Sequence, residues 1–394
     1  MFPKLRFKEF DDDWSPYVLK DFVSFRKGKG ISKADISENG INECIRYGEL
    51  YTTYGQVIDH IHSKTNVSKS ECILSKAGDV IIPASGETQI DIATASCVLH
   101  DDIILSGDLN ILSHEENGSW LAYYLSSAKK LEIAQLAQGN SVVHLYSSQL
   151  KDLKINKPSK EEQTKIASFL SNVDEKISQL TKKHELLSQY KQGMMQKLFS
   201  QQIRFKADDK SEFGEWEEKE LKDIAEINPK SKKLPESFIY IDLESVEKGK
   251  LLLQKNIELQ DAPSRAQRLL AKGDVLFQMV RPYQQNNYYF NLSGEYVAST
   301  GYAQIRTKLD SKFIYYALHE KTFLDEVMNR CTGTSYPAIN SSDLSSIEIL
   351  IPCLEEQTKI ANFLSSIDQK IEVVAQQIEQ AKQWKKGLLQ QMFI

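Results

Sequence analysis

The chain has 394 residues, 41% of them hydrophobic and 26% charged, with a formal net charge of −5. It is too long for one ordinary core, so two or three globular domains are expected. No apolar run approaches the roughly 18 residues of a membrane span, and the opening Met-Phe-Pro-Lys-Leu-Arg-Phe-Lys lacks the apolar stretch of a secretory signal; a cytoplasmic location with no membrane partner is expected. The five cysteines (Cys44, Cys72, Cys97, Cys331, Cys353) have neither zinc-site spacing nor disulfide-scaffold density and read as reduced thiols. The acidic balance by itself argues mildly against nucleic acid.

In chain order, residues 1–157 open with Trp14, Leu19-Lys-Asp21 and a basic loop, Arg26-Lys-Gly-Lys29 with Lys33. Asp79-Val-Ile-Ile-Pro83 follows Gly78 and reads as a short strand, and Trp120-Leu-Ala-Tyr-Tyr-Leu125 reads as helix. Gly139-Asn-Ser and Ser147-Ser-Gln-Leu150 precede a constant block, residues 158–200. Residues 201–351 then repeat the order: Trp216, Leu221-Lys-Asp223, basic Lys230-Ser-Lys-Lys233, a strand at Asp274–Gln278, a helix at Lys312–Leu318, Gly333-Thr-Ser, Ser341-Ser-Asp-Leu344 and a strand at Ser346–Ile351. Residues 352–394 complete the chain.

The two constant blocks align without a gap at an offset of 194, with identical pairs such as Glu161/Glu355, Gln163/Gln357, Ile166/Ile360, Phe169/Phe363 and Asp174/Asp368. The chain is therefore two copies of one unit, a variable block followed by a constant one. In the first constant block Ile166, Leu170, Val173, Ile177, Leu180, His184 and Leu187 recur at alternating spacings of four and three, and Ile360, Leu364, Ile367, Ile371, Val374, Ile378 and Ala381 keep the same register. That is the a/d stripe of a coiled coil. A helix of about 40 residues is roughly 60 Å long, more than one small domain covers, so the stripes are expected to pair rather than each pack on its own domain. The expected fold is α+β: two α/β domains separated by two long antiparallel coiled-coil helices, pseudo-two-fold. Domain bounds are 1–157 and 201–351, with helices at 158–200 and 352–394. Two readers at a set distance suit a linear, periodic ligand such as double-stranded DNA.

A Ser-Ser-x-Leu run followed by Glu-Glu-Gln-Thr-Lys-Ile-Ala and a long helix, twice, resembles the specificity subunit of type I restriction-modification systems over essentially the whole chain. The resemblance implies that each variable block is a target-recognition domain reading one half of a bipartite, asymmetric site. It also implies that the helices set the spacing and dock two methyltransferase subunits, and that endonuclease/translocase subunits join the complex. Glu161, Gln163, Ile166, Phe169, Glu355, Gln357, Ile360 and Phe363 are on this basis scaffold and docking residues, with Phe169 and Phe363 favoured as core. The chain itself is expected to be non-catalytic and cofactor-free, with S-adenosylmethionine, ATP and magnesium held by partner subunits.

The motifs agree with that expectation. No Asn/Asp-Pro-Pro-aromatic element accompanies Asn228-Pro229-Lys230, and no Gly-x-x-x-x-Gly-Lys-Ser/Thr loop occurs. Asp11-Asp-Asp13 superficially offers a magnesium site for a nuclease, and His60-x-His62 a zinc site, but acidic runs are usually solvated surface and the histidines have no third ligand. Candidate DNA contacts are the basic and amide-rich segments: Arg26, Lys27, Lys29 and Lys33; Lys230, Lys232 and Lys233; Arg265 and Arg268; and Arg281 with Gln284, Gln285, Asn286 and Asn287, which could bond base edges. A coiled-coil scaffold that joins partners without touching DNA is the alternative.

Overall fold

Two helices, Lys160–Phe199 and Leu354–Phe393, carry the constant blocks. The computed structural model describes residues 3–139, 142–231 and 233–393. Pro158 ends the strand Lys154–Lys157, and the Ser159 hydroxyl accepts from Glu162 N–H at 3.3 Å, an N-cap that starts the first helix. The chain divides into two compact units, Met1–Thr181 with Ala375–Ile394, and Lys182–Val374, so each long helix contributes its first half to one unit and its second half to the other.

The apolar stripe accordingly does more than pair helices. Ile166, Leu170 and Val173 lie in the core of the first unit together with Trp120, Tyr124, Leu388, Met392 and Phe393. Ile360, Leu364 and Ile367 lie in the core of the second together with Leu198, Trp216 and Phe313. The expected separation into helix seam and domain core is not kept: the same side chains serve both, because an apolar stripe about 100° wide can face two neighbours. Phe169 and Phe363 are half-buried and pack against these cores edge-on to Phe7 (5.7 Å) and Phe205 (5.7 Å).

Within each variable block a sheet is covered on both sides. In the first unit the strand order is Ser24–Lys27, Leu109–Ser113, Val80–Pro83, Ser96–Val98, Val57–Ile58. Val80 and Ile82 face the helix-lined core, while Ile81 turns to a second cluster with Ile45 and Leu105 from a four-stranded sheet. Two buried faces explain why this strand reads as an unbroken apolar run rather than an alternation. The second unit repeats the plan with Ala225–Ile227, Tyr302–Thr307, Val275–Gln278 and Tyr288–Tyr289: Val275 and Phe277 face the helices, and Leu276 faces the other sheet.

In each unit the two helical segments run antiparallel and are tied by the same devices. Leu5 N–H bonds Gln391 O (2.9 Å) while the adjacent Arg6 forks onto buried Glu162 (2.7 and 2.7 Å); further along, Asp174 meets Lys385 (2.6 Å) and accepts from the Tyr123 hydroxyl (2.6 Å). In the second unit Ile203 N–H bonds Lys197 O (3.2 Å), Arg204 forks onto Glu356 (3.2 and 2.7 Å), and Asp368 meets Lys191 (2.6 Å) and the Tyr316 hydroxyl (2.6 Å). The first of these devices has a signature in the sequence, Leu5-Arg-Phe-Lys8 against Ile203-Arg-Phe-Lys206, a further echo of the repeat.

A carboxylate out of water is tolerated only while its cation stays, so removing the cation is costly. Arg204→Met should therefore destabilise the second unit by about 3–5 kcal/mol, read as a lower denaturation midpoint in urea. An unchanged midpoint would mean that Glu356 finds water or another donor.

Candidate nucleic-acid interface

The central strand of the second unit ends in Gln278, whose buried side chain organises the loop that follows. Its backbone N–H donates to Asn287 Oδ1 (2.8 Å), its Oε1 accepts Asn286 N–H (3.0 Å), and its Nε2 donates to Val280 O (2.9 Å) and Gln284 Oε1 (2.9 Å). The loop so pinned holds two non-glycine residues in the left-handed region, Arg281 at φ 54° and Gln285 at φ 51°. Such strain persists only where surrounding contacts over-determine it, and it concentrates at functional sites. Arg281 N–H bonds Pro337 O (2.7 Å), and its guanidinium lies 4.3 Å from the ring centroid of Tyr336. Tyr336 is 62% and Tyr283 51% exposed. The product is a surface cluster of one arginine and two tyrosines on a rigid base.

A second segment joins this one. Asn228, also left-handed at φ 53°, bonds Gln304 N–H (2.9 Å) through its carbonyl and the Ser341 hydroxyl (2.8 Å) through its amide. Ser341 in turn touches Met279 at the base of the Arg281 loop. Three residues after Asn228, the Ser231 hydroxyl bridges Gln267 O (2.8 Å) and Leu269 N–H (3.2 Å), which lays Lys230 and Lys233 along the strand Ala266–Leu269 that carries Arg268. Among the described residues Lys230, Lys233, Arg265, Arg268 and Arg281 have no ion-pair partner. For Arg268 burial alone lowers the pKa from its ordinary value, with no carboxylate acting to raise it. A guanidinium half removed from water without a counter-ion favours an incoming anion.

In the first unit Lys27, Lys29 and Lys33 are exposed. Gly28 between them is obligatory, since a Cβ there would lie 1.9 Å from Ser106 O. Gly28 N–H bonds Leu109 O and Ala84 N–H bonds Asp108 O, so the basic loop and the loop starting at Ala84 leave the same end of the sheet. Ser85–Gly86 pairs with Val143–His144, and His144 stacks on the 55% exposed Tyr146 (6.2 Å). In each unit the loop after the central strand is thus bridged to the segment after the glycine motif, Ser85 to His144 here and Val280 to Ala338 in the second unit, with different side chains displayed around the bridge.

Several of the candidate contact residues take other roles, each for a local reason. Arg26 is not free: it pairs with buried Asp79 (2.5 Å) and donates to Ser113 and Leu74 O. The equivalent carboxylate of the second unit, Asp274, is neutralised by Arg306 (2.7 Å). Asn287 is buried and holds the loop. The Asn286 carbonyl accepts Lys248 N–H (3.0 Å), and the Gln284 carbonyl is bound to Gln278. Gln285 remains half-buried in its left-handed turn. Lys232 lies outside the described residues, as do Asn140 and Ser141. Gln163 and Gln357 are buried and bond Asn117 N–H (3.0 Å) and Asp310 N–H (3.1 Å), and Ile166 and Ile360 are core; Glu161 and Glu355 are exposed. The residues sequence reasoning missed are Gln278, Tyr283, Tyr336, His144 and Tyr146. Tyr336 and Tyr146 sit beside Gly333-Thr-Ser and Ser147-Ser-Gln-Leu150, so the repeated motifs flagged their neighbourhood.

His319 backs the loop. Its ring lies against Tyr315 (4.5 Å), Nδ1 meets Tyr315 O (2.7 Å), and Nε2 is 3.4 Å from the Asn287 amide. Burial pushes its pKa down to about 4 from an ordinary 6.5. The unfolded chain thus takes up a proton that the folded one refuses, and stability at this site, full above pH 6.5, declines as pH falls toward 4. His319→Asn should flatten the thermal stability profile over that window. An equally steep profile in the variant would place the titration elsewhere.

Residues 11–188 and 214–383 match the sequence model described as the type I restriction modification DNA specificity domain. The type I restriction enzyme MjaVIII specificity subunit of Methanocaldococcus jannaschii is 27% identical over 400 aligned positions, covering 96% of this chain and 91% of that protein. The putative MjaX specificity subunit of the same organism is 28% identical, covering 98% and 94%. Among solved structures, the S subunit of a type I restriction-modification system from M. genitalium gives a TM-score of 0.65 at 17% identity, covering 100% of this chain and 99% of that one, a likeness of fold. With the family match falling on both copies of the repeat, and the alignments to these relatives spanning nearly the whole chain, the protein belongs to the type I restriction-modification DNA specificity family.

Proposed function

We propose that this chain is the specificity subunit of a type I restriction-modification complex, reading a bipartite, asymmetric site in double-stranded DNA with one half assigned to each unit. The observation that carries this reading is the recurrence, in both units, of a loop after the central strand joined to the segment after the Gly-x-Ser motif, with basic side chains at its edge. Arg281 suits bidentate bonding to guanine O6 and N7, with Tyr283 and Tyr336 beside it for base or sugar contacts. Lys230, Lys233, Arg265 and Arg268 suit phosphates, which fix position without reading sequence. In the first unit Lys27, Lys29 and Lys33 take the phosphate role and His144 with Tyr146 the reading role.

The mechanism is positioning. The long helices set the distance between the two readers and dock two methyltransferase subunits, with endonuclease/translocase subunits completing the complex. The chain contributes no chemistry of its own; S-adenosylmethionine, ATP and magnesium belong to the partner subunits. The acidic net charge favours one competing reading, a scaffold without DNA contact. Salt-sensitive duplex binding by the assembled complex separates the two.

Co-expression with the methyltransferase subunit, followed by genome-wide mapping of N6-methyladenine, should show a bipartite motif that vanishes when this chain is omitted. Arg281→Ala should relax or abolish recognition in one half of that motif and leave the other intact, at a cost of about 1–3 kcal/mol in binding. Lys230→Ala and Arg268→Ala should instead weaken binding evenly across sequences and each reduce the salt slope by about one. Loss of both half-sites on changing Arg281 alone would refute the division of labour.

A further inference from the structure

The second unit contains an open cavity of about 610 Å³ beside the ribbon formed by Glu217–Glu220 and Glu348–Ile351, with walls that include Phe199, Trp216, Ala317 and Leu350. In the repeat these four correspond to Phe393, Trp14, Tyr124 and Asn156 of the first unit, where Tyr124 fills the space between the other three. Its ring stacks on Trp120 (5.3 Å), meets Phe393 edge-on (5.6 Å) and lies 6.3 Å from Trp14, and its hydroxyl accepts Asn156 N–H at 3.2 Å. Ala317 presents only a methyl group at that position, so both the ring and the phenol oxygen are missing from the second unit.

The ribbon register shows what the missing oxygen leaves behind. Leu221 N–H bonds Ile347 O, and pairing proceeds from there through Glu220/Glu348, Lys219/Ile349 and Glu218/Leu350. Hydrogen-bonded and non-bonded pairs alternate along an antiparallel ladder, so Leu350 falls in a non-bonded pair with its N–H directed away from the partner strand. Asn156 has the same register, counted from Leu19 N–H to Leu153 O. The cavity rim carries four carboxylates, Glu218, Glu320, Glu326 and Glu348, against one guanidinium, Arg330. Arg330 is held by Glu326 (2.8 Å), and Glu320 caps a helix by accepting from Thr322 and Phe323 N–H. Glu218 and Glu348 are exposed and, among the described residues, have no ion-pair partner.

We propose that this cavity is a docking socket for a tyrosyl side chain, flanked by lysine or arginine, on the methyltransferase subunit that binds the second unit; it rests on the assembly reading given above. The incoming ring takes the place Tyr124 holds in the first unit, its hydroxyl accepts the Leu350 N–H, and the flanking cation pairs with Glu218 and Glu348. Desolvated aromatic and basic anchors of this kind carry a disproportionate share of interface affinity. The first unit fills the same space with its own ring, so the socket distinguishes the two units.

The test uses the full chain with the co-expressed methyltransferase subunit, comparing wild type, Ala317→Tyr and the rim double variant Glu218→Gln/Glu348→Gln by native mass spectrometry and titration calorimetry. Ala317→Tyr should raise the melting temperature by filling the space, while one of the two subunits binds at least about tenfold more weakly. The rim variant should weaken the same subunit and reduce the salt dependence of its binding. Wild-type affinity and stoichiometry in both variants would overturn the socket. Should Ala317→Tyr fail to fold, the exposed rim variant decides alone. A wild-type chain that binds no methyltransferase subunit would instead remove the assembly reading and, with it, the partner assigned to the socket.

Discussion

Each long helix presents an apolar stripe that must be covered along its whole length, and this constraint organises the molecule. A helix of about 40 residues outreaches a small domain. The first half of each stripe is covered by the domain that precedes it in sequence, as Ile166, Leu170 and Val173 show in the first unit. The remainder is covered in the other unit. Each core is consequently completed by residues from opposite ends of the constant blocks: Leu388, Met392 and Phe393 complete the first, and Leu198 the second. Folding of either unit therefore depends on chain segments far apart in sequence, which is slow to search but specific once made.

Polar staples fix the register of that packing. Apolar contacts alone are non-directional and would allow a helix to slide or rotate. The forked Arg6/Glu162 and Arg204/Glu356 pairs, and the Tyr-Asp-Lys groups at Asp174 and Asp368, have geometry that tolerates neither. Replacing a buried ion pair by well-packed apolar residues is often neutral for stability, so the contribution of these pairs lies more in specifying one arrangement than in its depth.

The same scaffold carries two different surfaces. In both units a buried aspartate follows a left-handed glycine, Gly78 and Gly273, and is neutralised by an arginine. The arginine comes from a different strand in each case, Arg26 in one and Arg306 in the other. The buried charge is kept at one end of the central strand in both units, while the loops that leave its other end, after Pro83 and Gln278, carry different side chains. The Arg281 and Tyr336 cluster and the His144 and Tyr146 stack are two outcomes, consistent with two half-sites of unlike sequence.

The doubled organisation is legible in the sequence, because an ungapped repeat and a four-three apolar spacing are local in the chain and survive without knowledge of contacts. The two long helices and the family resemblance follow from it, and the strands at Val80–Pro83 and Val275–Gln278 are legible as short apolar runs behind a glycine. The basic loops are legible too, yet which of their cations are free is not. Arg26 and Lys27 are neighbours of like charge, and only the approach of Asp79 from another strand occupies one and spares the other. The amides of Asn286 and Asn287 have the chemistry of base readers, but Lys248 N–H occupies the carbonyl of the first, and Gln278 N–H and His319 stand against the second in the fold. Ala317 is an ordinary helix residue until Tyr124 shows what its position fills in the other copy. Helices and repeats are determined by what lies within a few residues; the availability of a side chain is determined by what long-range folding brings beside it, and only the tertiary structure decided that.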